Sequence, residues 1–348
     1  MPHPEIQNDS PFACEALFLA DEEGYPLLVP VIKGTYRLDI SDTIILAEEQ
    51  LAVKIAGESY GDAGHSSYRY EPETAFVKLS TDVVLIGHAY PPYRGAVEFG
   101  VRLCVGALQK IVTVVGDRKW VQSFGTTKMT RPEPVDRVPL IYERAFGGWD
   151  RSDPDSSKHS FEPRNPVGVG FRTKRGRFDD STLVPNLEDP HHRLERYGDT
   201  PPPAGFGFIS PNWQPRAAFV GTYDDAWTRD RSPLLPKDFD RKFFTAASPG
   251  LVTEGFLQGG ELVTVENASR RGRLRFELPE RASPVCEVRR RGHNRQRLAM
   301  HLDTVIINTD EDLLLLIWRG CLAARNGPHD IVSIQIHSED VGVPVTAG

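Results

Sequence analysis

The sequence predicts a mainly β protein, in which antiparallel, β-sandwich-like sheets flank a long irregular middle segment rich in glycine, proline and aromatic residues. Three observations favour this fold class. Short runs of alternating apolar and polar residues recur at both ends of the chain, as half-buried strands require. Proline and glycine are abundant, with 28 and 30 residues among 348, which suits turns and ordered loops. Few segments have a helical period, so we expect only a few short helices.

Residues 1–135 are predicted to form an N-terminal antiparallel β region. The run PLLVPVIKGTYRL at 26–38 is apolar and rich in β-branched residues, which are typical of strands. In AVEFGVRLC at 96–104, every second residue from Val97 onward is apolar, so these side chains share one face of a strand. The run KIVTVVGDRKW at 110–120 is predicted to be its hairpin partner.

Residues 136–215 have neither a helical nor a strand period, and proline or glycine interrupts them every few positions. Loops longer than about 12–15 residues are usually functional or disordered. Disordered segments are poor in aromatic residues, whereas this one has many. We therefore expect an ordered segment, anchored on the sheet by its own aromatic side chains.

Residues 216–348 are predicted to form short helices and β-hairpins. GTYDDAWTRDR at 221–231 predicts a short helix, with Thr222 as the N-cap and Asp225 as its capping-box partner. DFDRKFFTAAS at 238–248 predicts one or two further helical turns. The two apolar runs around NTDE at 308–311 predict a hairpin, and strands account for most of the remaining residues.

Composition and charge argue against some kinds of partner. The net charge of −7 disfavours nucleic acid, and the basic run EVRRRGHNRQR at 287–297 is interpreted as a solvated hairpin. The longest strongly apolar run, LLLLIW at 313–318, is far shorter than the ~20 residues of a membrane helix. The first residues, MPHPEIQNDS, have no secretion-signal pattern. We expect a cytoplasmic protein without a nucleic-acid or membrane partner.

The sequence contains no nucleophile elbow, no phosphate-binding loop and no H-E-x-x-H motif, so we predict no catalytic residue and no cofactor. NLEDPHH at 186–192 holds potential zinc ligands, but no rigid frame is predicted that would bring three or four of them to one point. We therefore predict no metal and interpret this stretch as a polar loop, whose carboxylates cap backbone amides or pair with Arg193 and Arg196.

Histidines elsewhere have structural interpretations. His88 lies in the apolar run LIGHAY and is interpreted as a hydrogen-bonded core histidine. His301 and Asp303 lie two residues apart on a predicted strand and are interpreted as a surface pair.

Long motifs along the chain point to one family. Five of them occur in this order: PLIYERAFGG (139–148), RNPVGVGF (164–171), LVPNLEDP (183–190), PAGFGFISPNWQPR (203–216) and GTYDDAWTRDRSPLLPKDFDRKFF (221–244). With these and further matches, nearly the whole chain resembles the uncharacterised bacterial family known as domain of unknown function number 2169. The resemblance makes the three regions one continuous domain. Phe208 stands where the family pattern has proline, and Asn212 where it has histidine.

The resemblance implies a role in type VI secretion. Members of the family act as cytoplasmic adaptors, or chaperones, that load a toxic effector onto the valine-glycine-repeat spike. The effector often carries a PAAR-type tip domain. The family is not known for enzymes and has no established catalytic residues. We therefore expect a protein partner, namely a secreted effector and possibly the spike or a PAAR-type tip protein.

Aromatic and arginine anchors dominate protein interfaces. The candidates for partner binding are Arg144, Trp149, Arg164, Phe171, Phe206, Trp213 and Arg216. For each of them, packing onto the protein's own sheet is the competing interpretation. The candidates for structural roles in the loops are Glu143, Asn165, Gly168, Gly170, Asn186 and Asp189. Glu143 is expected to pair with Arg144, and the Asn and Asp side chains to bond nearby backbone.

Two other functions remain open at this point. One is a β-sandwich hydrolase or carbohydrate-active enzyme that uses carboxylates such as Glu188 and Asp189. The other is a structural subunit of the secretion apparatus.

Overall fold

The computed structural model describes residues 4–39, 43–123, 126–173, 182–280, 283–324 and 326–338. Within them, 26 strands, a single short α-helix and five 3-10 turns give a mainly β protein, which confirms the predicted fold class. Residues 174–181 of the irregular middle segment lie outside the described residues.

Strands are numbered along the chain, and the longest has 13 residues. In the N-terminal region they are β1 (Glu5–Asn8), β2 (Ala13–Ala20), β3 (Pro26–Leu38), β4 (Ile44–Leu46), β5 (Glu58–Ser59), β6 (Tyr68–Tyr70), β7 (Asp82–Ile86), β8 (His88–Ala89), β9 (Glu98–Val105), β10 (Leu108–Val115), β11 (Trp120–Ser123) and β12 (Thr126–Met129). In the middle segment they are β13 (Val138–Pro139), β14 (Phe146–Gly147), β15 (Trp149–Asp150), β16 (Ser160–Phe161), β17 (Val169–Gly170) and β18 (Leu187–Glu188). In the C-terminal region they are β19 (Leu262–Glu266), β20 (Leu274–Glu277), β21 (Pro284–Arg290), β22 (Arg295–Leu298), β23 (His301–Asn308), β24 (Leu313–Arg319), β25 (Leu322–Ala323) and β26 (Ile331–Ser338).

The largest sheet has seven strands in the order β2-β3-β24-β23-β7, with β4 and β25 also paired to β3. The predicted run at 26–38 is β3, whose apolar side chains are almost all buried. β23 and β24 form the predicted hairpin around NTDE. β7 then joins β23 in parallel, so the N-terminal and C-terminal regions share this sheet.

A second sheet has five antiparallel strands in the order β18-β10-β9-β19-β20. The predicted hairpin of β9 and β10 is confirmed, with Val105 opposite Leu108 at its turn. Alternation along β9 buries Phe99, Val101 and Leu103 as predicted. Val97 precedes the strand and stays exposed.

A third sheet has the order β1-β26-β21-β22. One hydrophobic core contains buried residues from all three sheets, among them Ile32, Val101 and Ile334. Ten shorter strands pair in twos, including β15 with β16 and the parallel pair of β14 and β17. The middle segment is therefore built from two-residue strands and turns lying against this core.

The predicted helix is present at Asp225–Asp230, but its predicted cap is wrong. Asp224 is the N-cap, and its Oδ1 accepts the backbone N–H of Trp227 at 2.8 Å. Thr222 instead donates its N–H and its hydroxyl to the carboxylate of Asp238. A carboxylate directly before the first helical turn also meets the positive end of the helix dipole.

Five 3-10 turns complete the described structure: Tyr142–Arg144, Ser156–Lys158, Arg216–Phe219, Arg241–Phe244 and Gly327–Asp330. The helical turns predicted at 238–248 are reduced to the single 3-10 turn at Arg241–Phe244. Within the ranges given above, no helix has the length and apolar character needed to cross a membrane.

Replacing Asp224 with alanine is expected to lower the free energy of unfolding by about 1 kcal/mol, because the first turn of the helix loses its side-chain acceptor. Urea denaturation followed by circular dichroism measures the change. Asp225→Ala is the matched control, since it removes a charge from the same turn but no cap, and should cost only a few tenths of a kcal/mol. Equal losses in the two variants would contradict the assigned cap.

Candidate functional site

The middle segment forms a surface groove with a volume of about 770 Å³. Its lining residues are Gly64, His65, Gly148, Trp149, Arg151, Ser152, Phe161, Pro166, Val167, Gly168, Arg172 and Asn212. Asn212, one of the two departures from the family pattern, is therefore exposed in the groove. Phe208, the other departure, is buried in the core.

An exposed aromatic pair lies in the groove. Trp149 and Phe161 face each other across β15 and β16, and their rings stack with centroids 4.6 Å apart. The two residues are 40% and 42% exposed. The guanidinium of Arg151 lies 4.9 Å from the centroid of the Trp149 ring. Exposed aromatic and arginine side chains in a concave surface are typical of interaction sites.

Asp150 anchors this part of the groove from beneath. Its side chain is buried, and its carboxylate accepts the N–H and hydroxyl of Ser152 and the N–H and hydroxyl of Thr173. Burial alone would raise the pKa of Asp150, but these hydrogen bonds outweigh it and lower the pKa to about 2. The charged carboxylate therefore joins β15 to Thr173, three residues after the end of β17.

Replacing Asp150 with asparagine is expected to lower the free energy of unfolding by about 2 kcal/mol at neutral pH. The folded pKa lies below the unfolded one, so this stability is present above about pH 4 and is lost as the pH falls toward 2. The difference between wild type and variant should therefore narrow below pH 4. Denaturation curves from pH 3 to pH 7 test this, and a difference that does not change with pH would contradict it.

Asn165 holds the turn that shapes the groove floor. It is fully buried, and its amide donates to the carbonyls of Tyr142 at 2.8 Å and Phe146 at 3.0 Å. The backbone carbonyl of Asn165 accepts the N–H of Gly148 at 2.8 Å. A Cβ on Gly147 would overlap that carbonyl, so this close approach requires glycine.

Glycine is also required in the facing strand β17 and directly before it. A Cβ on Gly168 would overlap the Asn165 side chain, and Gly170 has a φ of +92°, which favours glycine. These two glycines therefore let the RNPVGVGF motif pack against the AFGG motif, and β14 pairs with β17 as a result.

Glu143 fixes the rim of the groove. Its carboxylate accepts the N–H and the hydroxyl of Ser67, each at 2.7 Å, next to the turn that carries His65. The expected pair of Glu143 with Arg144 is not formed, because Arg144 instead donates to Asn186 at 3.3 Å. Asn186 is itself buried and donates to the carbonyl of Val115.

The predicted aromatic anchors have different environments. Trp149 alone among them is exposed in the groove. Phe171 packs in a small cluster around Trp120 and Phe146. Phe206 is 0% exposed, and Trp213 is buried edge-on against Tyr142. The structure assigns these last two side chains to the protein's own packing, because a buried ring offers no surface to a partner.

Two of the predicted arginine anchors are also bound internally. Arg216 is buried and pairs with Glu71 at 2.9 Å. Arg164 forms two hydrogen bonds with Glu162, at 2.6 and 2.7 Å. Both therefore stabilise the path of the segment, whereas Arg144 is exposed.

His65, Arg151, Phe161 and Arg172 line the groove but were not among the residues predicted to bind a partner, and Asn212 was noted only as a departure from the family pattern. For Phe161 and Arg151, the sequence does contain a local signal. The turn-forming run SDPDSS separates the WD and SF pairs that form β15 and β16, which is the pattern of a hairpin. That pattern places Phe161 opposite Trp149 and Arg151 beside it.

The stretch NLEDPHH forms a polar loop. Glu188 is buried between the guanidinium groups of Arg118 and Arg193. Asp189 accepts the backbone N–H groups of His191 and His192. Burial would raise the pKa of Asp189, but these bonds lower it. Among the residues that the structure describes, no group of three or more His, Cys, Asp or Glu residues could hold a metal ion.

Two histidine interpretations need correction. His88 is half-buried, not in the core, and its Nδ1 lies 2.8 Å from Asp310. The surface pair of His301 and Asp303 is wrong, because Asp303 is buried and pairs with Arg319 at 2.5 Å. The sheet register shifts beside Asp303, so the simple alternation behind that prediction does not apply.

Comparison with known proteins gives one match. Residues 23–319 match the family model DUF2169, described as an uncharacterized protein conserved in bacteria. Neither the search of curated proteins nor that of solved structures found a match. The matched residues include the whole groove and most of the chain, so the protein belongs to the DUF2169 family of uncharacterized bacterial proteins.

Proposed function

We propose that this protein is an adaptor of type VI secretion, which binds a toxic effector, either a PAAR-type protein or its partner, and helps to load it onto the spike. The resemblance behind this proposal is supported by the family match over residues 23–319. The observation that carries it is the stacked Trp149–Phe161 pair, which is exposed in a groove of about 770 Å³.

The groove suits a carrier that must hold a polypeptide and later release it. Aromatic side chains in a pocket are the residues that contribute most to interface affinity. Here the backbone of Trp149 and Phe161 is fixed in advance by the pairing of β15 with β16 and by the hydrogen bonds of Asp150. Binding therefore orders little of the protein's own chain, which lowers the entropic cost of association.

No comparable observation favours a hydrolase. Such an enzyme needs carboxylates that are available in one cleft. Glu188 is bound by two arginines, and Asp189 by backbone amides.

Co-purification with the toxin encoded beside this gene tests the proposal. We expect a stable complex, and we expect deletion of the gene to reduce secretion of that toxin while other secreted proteins are unaffected. A toxin that does not co-purify and is secreted normally without the gene would exclude the adaptor role. Recovery of this chain in the secreted particle would favour a structural subunit.

A further inference from the structure

The charged side chains that line the groove are all potential cations. Arg151 and Arg172 line it, and His65 lies at its rim. No carboxylate is among its lining residues in the described part of the chain. The carboxylate nearest in sequence, Asp150, is buried and occupied by four hydrogen bonds. The groove is thus locally positive on a chain whose net charge is −7.

Neither groove arginine has an acidic partner among the described residues. Arg172 donates to the carbonyls of Trp149 at 3.2 Å and Phe171 at 2.8 Å, and its buried Nε has no acceptor among the described residues. A buried donor of a charged group costs free energy when it is unpaired. Among the described residues, the one partner of the Arg151 guanidinium is the Trp149 ring. Planar guanidinium groups are well suited to bind carboxylates.

The aromatic pair adds an apolar contact beside these charges. Phe161 covers one side of Trp149, yet both rings keep a large exposed area. The groove volume lies within the range of roughly 300–1,000 Å³ of ligand sites, so it has room for a short segment and not for a folded domain.

We propose that the groove takes an acidic segment of the polypeptide partner, whose carboxylates pair with Arg151 and Arg172 and whose neighbouring proline or aromatic ring packs on Trp149. This inference rests on the proposed function, because it names the part of the effector, or of its PAAR-type partner, that is recognised.

A selection of short random peptides displayed on phage tests the inference with the full chain as bait. Peptides that also bind Trp149→Ala are removed. We expect the remaining peptides to be enriched in Asp and Glu beside a proline or aromatic residue. The best peptide is then compared by calorimetry with a version in which Gln and Asn replace its Glu and Asp. The neutral version should bind at least about tenfold more weakly.

Arginine variants test the same contacts from the protein side. Arg151→Gln should weaken the acidic peptide at least about tenfold, and Arg172→Gln should do the same. Arg151 is exposed and makes no described hydrogen bond, so its variant stays informative if Arg172→Gln unfolds. Arg229→Gln, on the surface of the helix, is the matched control and should bind like wild type.

Three results would overturn the inference: selected peptides that are neutral or basic, a neutral version that binds as tightly as the acidic one, or no peptide that depends on Trp149. The outcome is separable from that of the proposed function. If the toxin co-purifies through Trp149 but the peptides are not acidic, the inference alone fails. If acidic peptides bind but the toxin neither co-purifies nor depends on the gene, the adaptor proposal alone fails.

Discussion

Replacing Glu73 with glutamine is expected to lower the free energy of unfolding by about 3–5 kcal/mol. Lys33 lies within β3, is 0% exposed, and its Nζ is 2.6 Å from Oε1 of Glu73. Burial lowers the pKa of Lys33, and the charge of Glu73 opposes that shift. Without the negative charge, the ammonium group stays buried beside neutral acceptors, namely the amide oxygen of the introduced glutamine and the carbonyl of Ala52. Urea denaturation at pH 7 measures the loss.

The double variant Lys33→Met/Glu73→Leu shows how much of the lost stability comes from the unpaired charge and how much from packing. Both charges are then gone, and the apolar side chains have similar volumes, so we expect most of the lost stability to return. Recovery should be incomplete by about 1–2 kcal/mol, because Glu73 also accepts the N–H of Lys54 at 2.9 Å. A single variant that costs less than 1 kcal/mol, or a double variant no better than the single one, would contradict this account.

The Lys33–Glu73 pair also bears on the groove. Glu73 follows β6, and β6 follows Ser67, which Glu143 binds. The turn that carries His65 is thus held on one side by Glu143 and farther along by Glu73. Loss of the Glu73 carboxylate should therefore make local unfolding of the turn that carries His65 easier before it affects the rest of the middle segment.

Local pattern in the sequence was sufficient for many strands. The alternation that predicts β9 comes from the two-residue period of side chains along a strand, which any short window contains. The parallel pairings of β7 with β23 and of β1 with β26 join distant parts of the chain. No local period encodes such pairings, so they could not be predicted.

The same limit applies to the site. Phe206 and Trp149 have similar glycine-rich surroundings in the sequence, yet one is buried and the other is exposed. Burial depends on the three-dimensional neighbours. Trp213 packs against Tyr142, which is far away in the chain. Trp149 stacks on Phe161 across a short hairpin, and only this contact has a local signal in the sequence.

Trp149→Ala is expected to weaken binding of the effector by about 30-fold or more, which corresponds to the 2 kcal/mol or more of an interface hot spot. The free energy of unfolding should change by no more than about 1 kcal/mol, because Trp149 is 40% exposed and its ring contacts are the stack on Phe161 and the guanidinium of Arg151. Calorimetric titration of the purified effector and urea denaturation measure the two effects.

Two further variants distinguish a contact residue from a packing residue. Tyr93→Ala removes another exposed ring, 66% accessible and not part of the groove lining, and should change neither affinity nor stability appreciably. Phe206→Ala empties a fully buried site and should lower the free energy of unfolding by about 3–5 kcal/mol, with affinity lost only as the fold is lost. If Tyr93→Ala weakened binding of the effector as much as Trp149→Ala, the binding surface would have to extend well beyond the groove, since these two exposed rings share no described contact.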